Sequence, residues 1–446
     1  RLTLLRGRII YRQTAASTGK NFSNKQPVST RSLSIISMKL ISYFERKAKG
    51  KIVGELEGLR FLAIVPVVIQ HFVERWYRNV DQNGFSDFQH QVINYFLGGS
   101  SGVYLFYIIS GFILSLPFAV RVIENKPHPL GNLKQYFARR LTRLEPPYII
   151  VMIFMAYAAW LLGKMEIGQI LAYFFTGITY TTNLVFHHFN ELNPVIWSLE
   201  VEIQFYLLAP FLAWSIFQIK SYRNRNIAVI VAILLAIILQ DVTDISNGDN
   251  FLRYTILGQI HYFLLGILMV NMYLNKKLEP GGKYRQFWNV AATAAVFVMV
   301  GYYWVAGLLK TLSFTLVLAI LFIGAFRSGT FNRFMKRPWI MAIGGMCYTI
   351  YLLHLAIAQG AMEFMISMRD KIHNEYLWFA VFTLVFFLSM AIAVPIFYLL
   401  FEKPCMDHSW PTRLKSFFLA KLRWVFRGPK ARAAQTDGEE TGNIKE

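Results

Sequence analysis

The stretch Glu55–His71, ELEGLRFLAIVPVVIQH, decides the fold of this chain. It reads as an apolar helix with a guanidinium near its start, Arg60, and an imidazole near its far end, His71. At 100° per residue the eleven-residue step is three turns plus roughly 20°, so both side chains share nearly one helix face. The rise separates them by roughly 16 Å, about half the hydrocarbon thickness of a bilayer. An arginine at one depth and a histidine much deeper on the same stripe suit one long ligand touched at two points. The pair also fits a snorkelling arginine and a histidine that marks the opposite interface.

The rest of the chain repeats the pattern. Of 446 residues 55% are hydrophobic and only 16% charged, and apolar runs of near-spanning length recur along the sequence. That excludes a soluble domain and indicates an all-α, multi-pass transmembrane helical bundle. The net charge of +21 sits in the loops and tails between apolar runs, as positive-inside topology requires. No basic face interleaved with exposed aromatics is present, so nucleic acid is not an expected partner; the lipid bilayer is. Cys347 and Cys405 offer neither a disulfide framework nor a metal spacing.

Hydropathy places ten spans at about 58–74, 102–120, 147–163, 197–217, 227–240, 253–273, 288–306, 309–326, 341–362 and 377–401. Basic loops at 46–51, 121–145, 220–225, 276–285 and 327–337 mark one side, and the acidic loop 241–250 marks the other. Parity then puts both termini in the cytoplasm. Residues 169–186 cannot cross without breaking that parity, so they read as a re-entrant or partial segment, packed in protein or lining a cavity. Residues 1–50 form a basic segment expected to be disordered, 51–404 the membrane domain, and 405–446 a basic, partly disordered tail. Met38 opens MKLISYFERKAKGK and is an expected start; a targeting peptide over 1–37 is the weaker reading.

Five stretches, in order, resemble the signatures of the acyltransferase-3 family of integral membrane acyltransferases: ELEGLRFLAIVPVVIQH, GVYLFYIISGF, RRLTRLEPPY, WSLEVEIQFYLLAPF and YTIYLLHLAI, with FYLLFEKP closing the series. The chain departs from the pattern at Glu57, where aspartate is usual, at Phe61, where a small residue is common, and at Tyr104, where an acid is usual. The resemblance implies transfer of an acyl group, usually acetyl, from cytoplasmic acyl-CoA to a hydroxyl of an envelope carbohydrate or lipid-linked glycan. It also implies a bacterial inner membrane as the location. Acyl-CoA would be a co-substrate, with no permanently bound cofactor and no metal.

The residues fit that chemistry. Arg60, Arg139, Arg140 and Arg143 sit at the cytoplasmic end, where guanidinium forks suit phosphates; plain positive-inside bias would place them there too. A neutral His71 can take the acceptor hydroxyl's proton as its oxygen attacks the thioester. Direct transfer and a transient acyl-histidine are both compatible with the sequence. Depth arithmetic brings Glu202 and His354 into the outer half with His71. Glu202 can orient His71, bind the acceptor, or make a structural bond to a neighbouring helix, Trp197 or Ser198. His354, Trp197 and Ser198 join the substrate-binding set, although His354 also fits a bond to Tyr348 or a backbone carbonyl. His261 and Gln259 are weaker candidates, and Glu200 points away from Glu202. Ser110 as a nucleophile lacks a base in its own span, while Gly111 suits close helix approach. His187, His188 and Glu191 read as an outer loop rather than a metal site. The competing class is a proton-coupled transporter or flippase, but no internal repeat of two halves is visible.

Overall fold

A computed structural model describes residues 54–407 except 246–249, 281, 283 and 303–306, together with 410, 412 and 416. The chain divides into residues 1–43 and 44–446, and every described residue lies in the second unit. The expectations for the N-terminal segment, Met38 and most of the tail fall outside the described residues.

The described part is all helix, with no strand. Its main helices are α1 (Gly54–Tyr77), α2 (Gly102–Ile123), α3 (Leu133–Leu161), α4 (Ile167–Ile178), α5 (Trp197–Phe217), α6 (Tyr222–Val242), α7 (Ile256–Leu274), α8 (Arg285–Val300), α9 (Leu308–Arg327), α10 (Cys347–Ser367) and α11 (Glu375–Phe397). Nine helical stretches among the described residues are long and apolar enough to cross a membrane. In a solvent without hydrogen-bonding capacity, helices satisfy their own backbone groups, which is why apolar runs of this length take that form.

The count differs from ten at α8. Its 16 residues rise only about 24 Å, short of the roughly 30 Å of hydrocarbon, and residues 303–306 of the expected span lie outside the described set. The segment expected to be partial is short in the structure. It comprises the 12-residue α4, a turn, and a five-residue helix at Thr182–Phe186. The buried carboxylate of Glu200 accepts the backbone N–H groups of Thr182 and Asn183, at 3.2 and 3.1 Å, and so pins this segment to α5. Glu200 is thus turned away from Glu202, as its position on the helix implied.

Two boundaries depart from the hydropathy reading. α3 begins at Leu133, inside the expected basic loop, because the Asn132 side chain caps it by accepting the Gln135 N–H at 2.9 Å. Pro146 and Pro147 then lie within the helix without ending it. The expected span 341–362 is broken at Met346 into Pro338–Gly345 and α10, and just before the break Gly344 meets the Glu57 carbonyl of α1 too closely for any side chain. Pro66, which deprives the Leu62 carbonyl of its helical donor, is accommodated within an unbroken α1.

The core sits where α2 packs on α5 and α7, with α1 and then α10 beside it. Gly111 and Gly266 bring α2 and α7 together: a Cβ on Gly111 would lie 2.3 Å from the Phe263 carbonyl oxygen, and one on Gly266 2.3 Å from that of Ile108. In a bilayer, such small residues permit the close contact that lipid gives no solvophobic reason to form. Tyr104, the departure from the expected acid, stacks on Tyr262 at 4.8 Å and fills this interface with an aromatic ring.

Candidate active site

Five helices, α1, α2, α3, α5 and α10, surround a cavity of about 150 Å³. Helix α1 contributes Arg60, Ile64 and Val67, the repeat of one helical face. α2 lines the cavity from Val103 to Leu114, a rise of roughly 16 Å, so the cavity extends along the helices.

Arg60 is mostly buried, and its guanidinium is ion-paired with Glu57 one turn earlier. One carboxylate occupies only part of a five-donor fork, leaving N–H groups for a ligand. Arg140 and Arg143, three residues apart on α3, line the same cavity. Arg139 does not: it is exposed and is not among the lining residues. The sequence treated the three as one cluster, and the rotation of a helix that begins at Leu133 separates them.

Between the arginines and the far end lies a polar group built from two helices. The Ser110 hydroxyl donates to Glu202 at 2.5 Å, and the Tyr206 hydroxyl donates to the same oxygen at 3.0 Å. The carboxylate that Ser110 lacks in its own span is therefore supplied by α5. Ser198 pairs with the Tyr351 hydroxyl at 3.1 Å, and both line the cavity. Trp197 lies outside the lining, packed against Tyr254 at 5.2 Å and Tyr107 at 6.5 Å.

His71 continues the α1 stripe, four residues after Val67 and one turn beyond the lining residues. Its ring lies 5.2 Å from that of His354, so the two histidines placed at one depth by arithmetic do meet. His354 is fully buried, and its Nδ1 donates to the carbonyls of Ile350 and Tyr351 at 3.1 and 2.8 Å, one of the bonds expected for it. That fixes the proton on Nδ1 and leaves Nε2 as an acceptor; this buried atom has no hydrogen-bond partner among the described residues. The partner of His71 is Glu74, with Nδ1 3.1 Å from its carboxylate, and not Glu202. Glu74 was missed in the sequence, although its spacing of three from His71 is a legible helix pair. The bond from Ser110 to Glu202 carried no such signal.

The closing stretch FYLLFEKP has a structural task. Glu402, in the π-helical turn Tyr398–Glu402, accepts the Thr349 N–H at 3.1 Å and its hydroxyl at 2.6 Å. A carboxylate there satisfies donors in the first turn of α10 and complements its dipole, which holds the helix that carries Tyr351 and His354. Elsewhere, His187 stacks on Phe251 at 4.0 Å and Glu191 accepts the Tyr173 hydroxyl. Both nitrogens of buried His261 lack a partner among the described residues, and His261 does not line the cavity.

The family model Acyl_transf_3, described as an acyltransferase domain, matches residues 53–398. O-acetyltransferase OatA of Staphylococcus aureus strain NCTC 8325 / PS 47 is 25% identical over 325 residues, covering 68% of this chain and 50% of the relative. The protein of the same name from strain COL matches with the same figures, 25% identity over 325 residues. The chain thus spans about half the length of the curated relatives it matches. No solved structure matches. With a family model covering most of the sequence and laid over the five helices that build the cavity, in a chain whose described residues hold nine helical stretches able to span a membrane, the chain belongs to the acyltransferase-3 family.

Proposed function

We propose that this acyltransferase moves an acetyl group from cytoplasmic acyl-CoA to a hydroxyl of a carbohydrate or lipid-linked glycan of the cell envelope, in a bacterial inner membrane. The observation that carries the reading is the α1 stripe. Arg60, Ile64 and Val67 line an elongated cavity, and His71, the next residue on that face, lies beside His354. Acyl-CoA has phosphates at one end, a thioester at the other, and a long flexible arm between them. Arg60, Arg140 and Arg143 are suited to the phosphates by charge and by bidentate geometry. The arm's amides need hydrogen-bond partners in an apolar interior, and Ser110, Glu202 and Tyr206 offer them. Ser198 and Tyr351 stand further along the path. The acetyl specificity is supported by relatives named O-acetyltransferase.

In the chemical step, the acceptor hydroxyl gives its proton to His71 Nε2 as its oxygen bonds to the thioester carbonyl carbon. The carbon–sulfur bond breaks, and the departing thiolate takes the proton from His71, so that the products are an acetyl ester and free CoA. His354 Nε2, a buried acceptor without a hydrogen-bond partner among the described residues, is available to accept from a neighbouring hydroxyl of the carbohydrate, not from the one that gives its proton to His71. The test uses purified protein in lipid, acetyl-CoA labelled on the acetyl group, and a mixed envelope-glycan pool. Release of CoA with label in the glycan is expected, together with weak donor binding by Arg60→Ala. A wild-type protein that neither binds nor consumes acetyl-CoA would overturn the proposal.

A further inference from the structure

We infer that Glu74 is the positioning residue of His71, an assignment that rests on the reading of His71 as the base. His71 and Glu74 lie on α1 and Arg78 is the first residue past its end, its N–H still bonded to the Glu74 carbonyl at 3.1 Å, so positions i, i+3 and i+7 share one face. His71 Nδ1 lies 3.1 Å from Glu74 Oε2, while the Arg78 guanidinium holds the other oxygen, Oε1, at 2.6 Å. An ionised carboxylate only accepts hydrogen bonds, so the proton of neutral His71 is placed on Nδ1 and the lone pair on Nε2. Arg78 anchors the carboxylate, the carboxylate fixes the ring, and Nε2 is the nitrogen left to take a proton from an acceptor. Without Glu74, neutral imidazole divides between two tautomers and its ring is free to turn.

The His71 and Glu74 side chains are only 20% and 22% exposed, so bulk water competes weakly for this bond. A helix pair three residues apart contributes little to stability. Glu74 variants are therefore expected to fold, and a large loss of turnover cannot be ascribed to a lost surface contact. When His71 accepts the hydroxyl proton, the carboxylate also stabilises the imidazolium until the thiolate of CoA takes that proton.

The experiment measures CoA release by the full-length protein in lipid for wild type, His71→Ala, Glu74→Ala and Glu74→Gln, with and without added formate. Glu74→Ala is expected to lose tenfold to a hundredfold in kcat with the donor KM within twofold of wild type. Formate, a small carboxylate able to occupy the vacated site, is expected to restore part of kcat to Glu74→Ala and none to His71→Ala; chloride at equal ionic strength should restore none. Glu74→Gln, which keeps an acceptor oxygen and the side-chain volume, should fall between wild type and Ala. Wild-type kcat in both Glu74 variants, alongside an inactive His71→Ala, would overturn the role of Glu74 and leave the base assignment standing. An active His71→Ala would overturn both. A fall in kcat that formate does not reverse and that Gln does not lessen would make Glu74 structural and would also overturn the inference.

Discussion

Replacing the three arginines of RRLTR one at a time separates a donor-binding role from simple membrane topology. Arg140 and Arg143 line the cavity, whereas Arg139, adjacent in sequence, is exposed and does not. A hydrogen bond to a charged group contributes about 1.5–3 kcal/mol, and each 1.4 kcal/mol is a factor of ten in an equilibrium constant. Arg143→Ala is therefore expected to weaken acetyl-CoA binding by about tenfold to a hundredfold. Arg140→Ala should fall at the lower end of that range, because its guanidinium also stacks over Tyr136 at 5.7 Å and is shared between two partners. Arg139→Ala removes the same formal charge but no cavity contact, and its effect should stay within about twofold, the scale of a screened surface charge. The assay is equilibrium binding of labelled acetyl-CoA to protein in lipid, at two salt concentrations. Equal losses in all three variants would refute the reasoning, because the effect would then follow net charge and not position. No loss in Arg140→Ala and Arg143→Ala would move the phosphate site elsewhere.

Two further outcomes follow from the surroundings of the cavity. Glu402→Ala leaves the Thr349 N–H and hydroxyl without their carboxylate inside the protein, a loss of about 2–5 kcal/mol, and should lower the thermal unfolding temperature of protein in detergent by several degrees; an unchanged unfolding temperature would contradict the capping role. Cys347 is buried but lines the cavity, so its slow alkylation by a small thiol reagent should slow further when CoA is present, with Cys405, which does not line the cavity, as the internal control. Equal protection of both cysteines would contradict the placement of the donor.

Periodicity carried the reading a long way within single helices. The Arg60–His71 stripe and the depth match of His71 with His354 are consequences of rise and rotation, which sequence states directly. Glu74 was equally legible as a neighbour on the same helix, but it stands at the polar end of the apolar run, where a charge reads as an ordinary interface residue. Contacts between helices were a different matter. Ser110 and Glu202 are 92 residues apart, and nothing in either span indicates that they face each other. The arginines of α3 were grouped because the hydropathy window begins where the apolar run begins. The helix itself starts at the Asn132 cap, and its rotation from that point decides which guanidinium enters the cavity. The close approach of Gly344 to α1, one turn or less before the break at Met346, likewise belongs to packing between helices.

The central claim is that His71 acts on the acceptor hydroxyl while the arginine end holds the donor. Its most direct test compares wild type with His71→Ala in single turnover, with acetyl-labelled CoA prebound and an envelope-glycan pool added. The account predicts that His71→Ala binds the donor with affinity near that of wild type and transfers no label. Transfer by His71→Ala at the wild-type rate would contradict it.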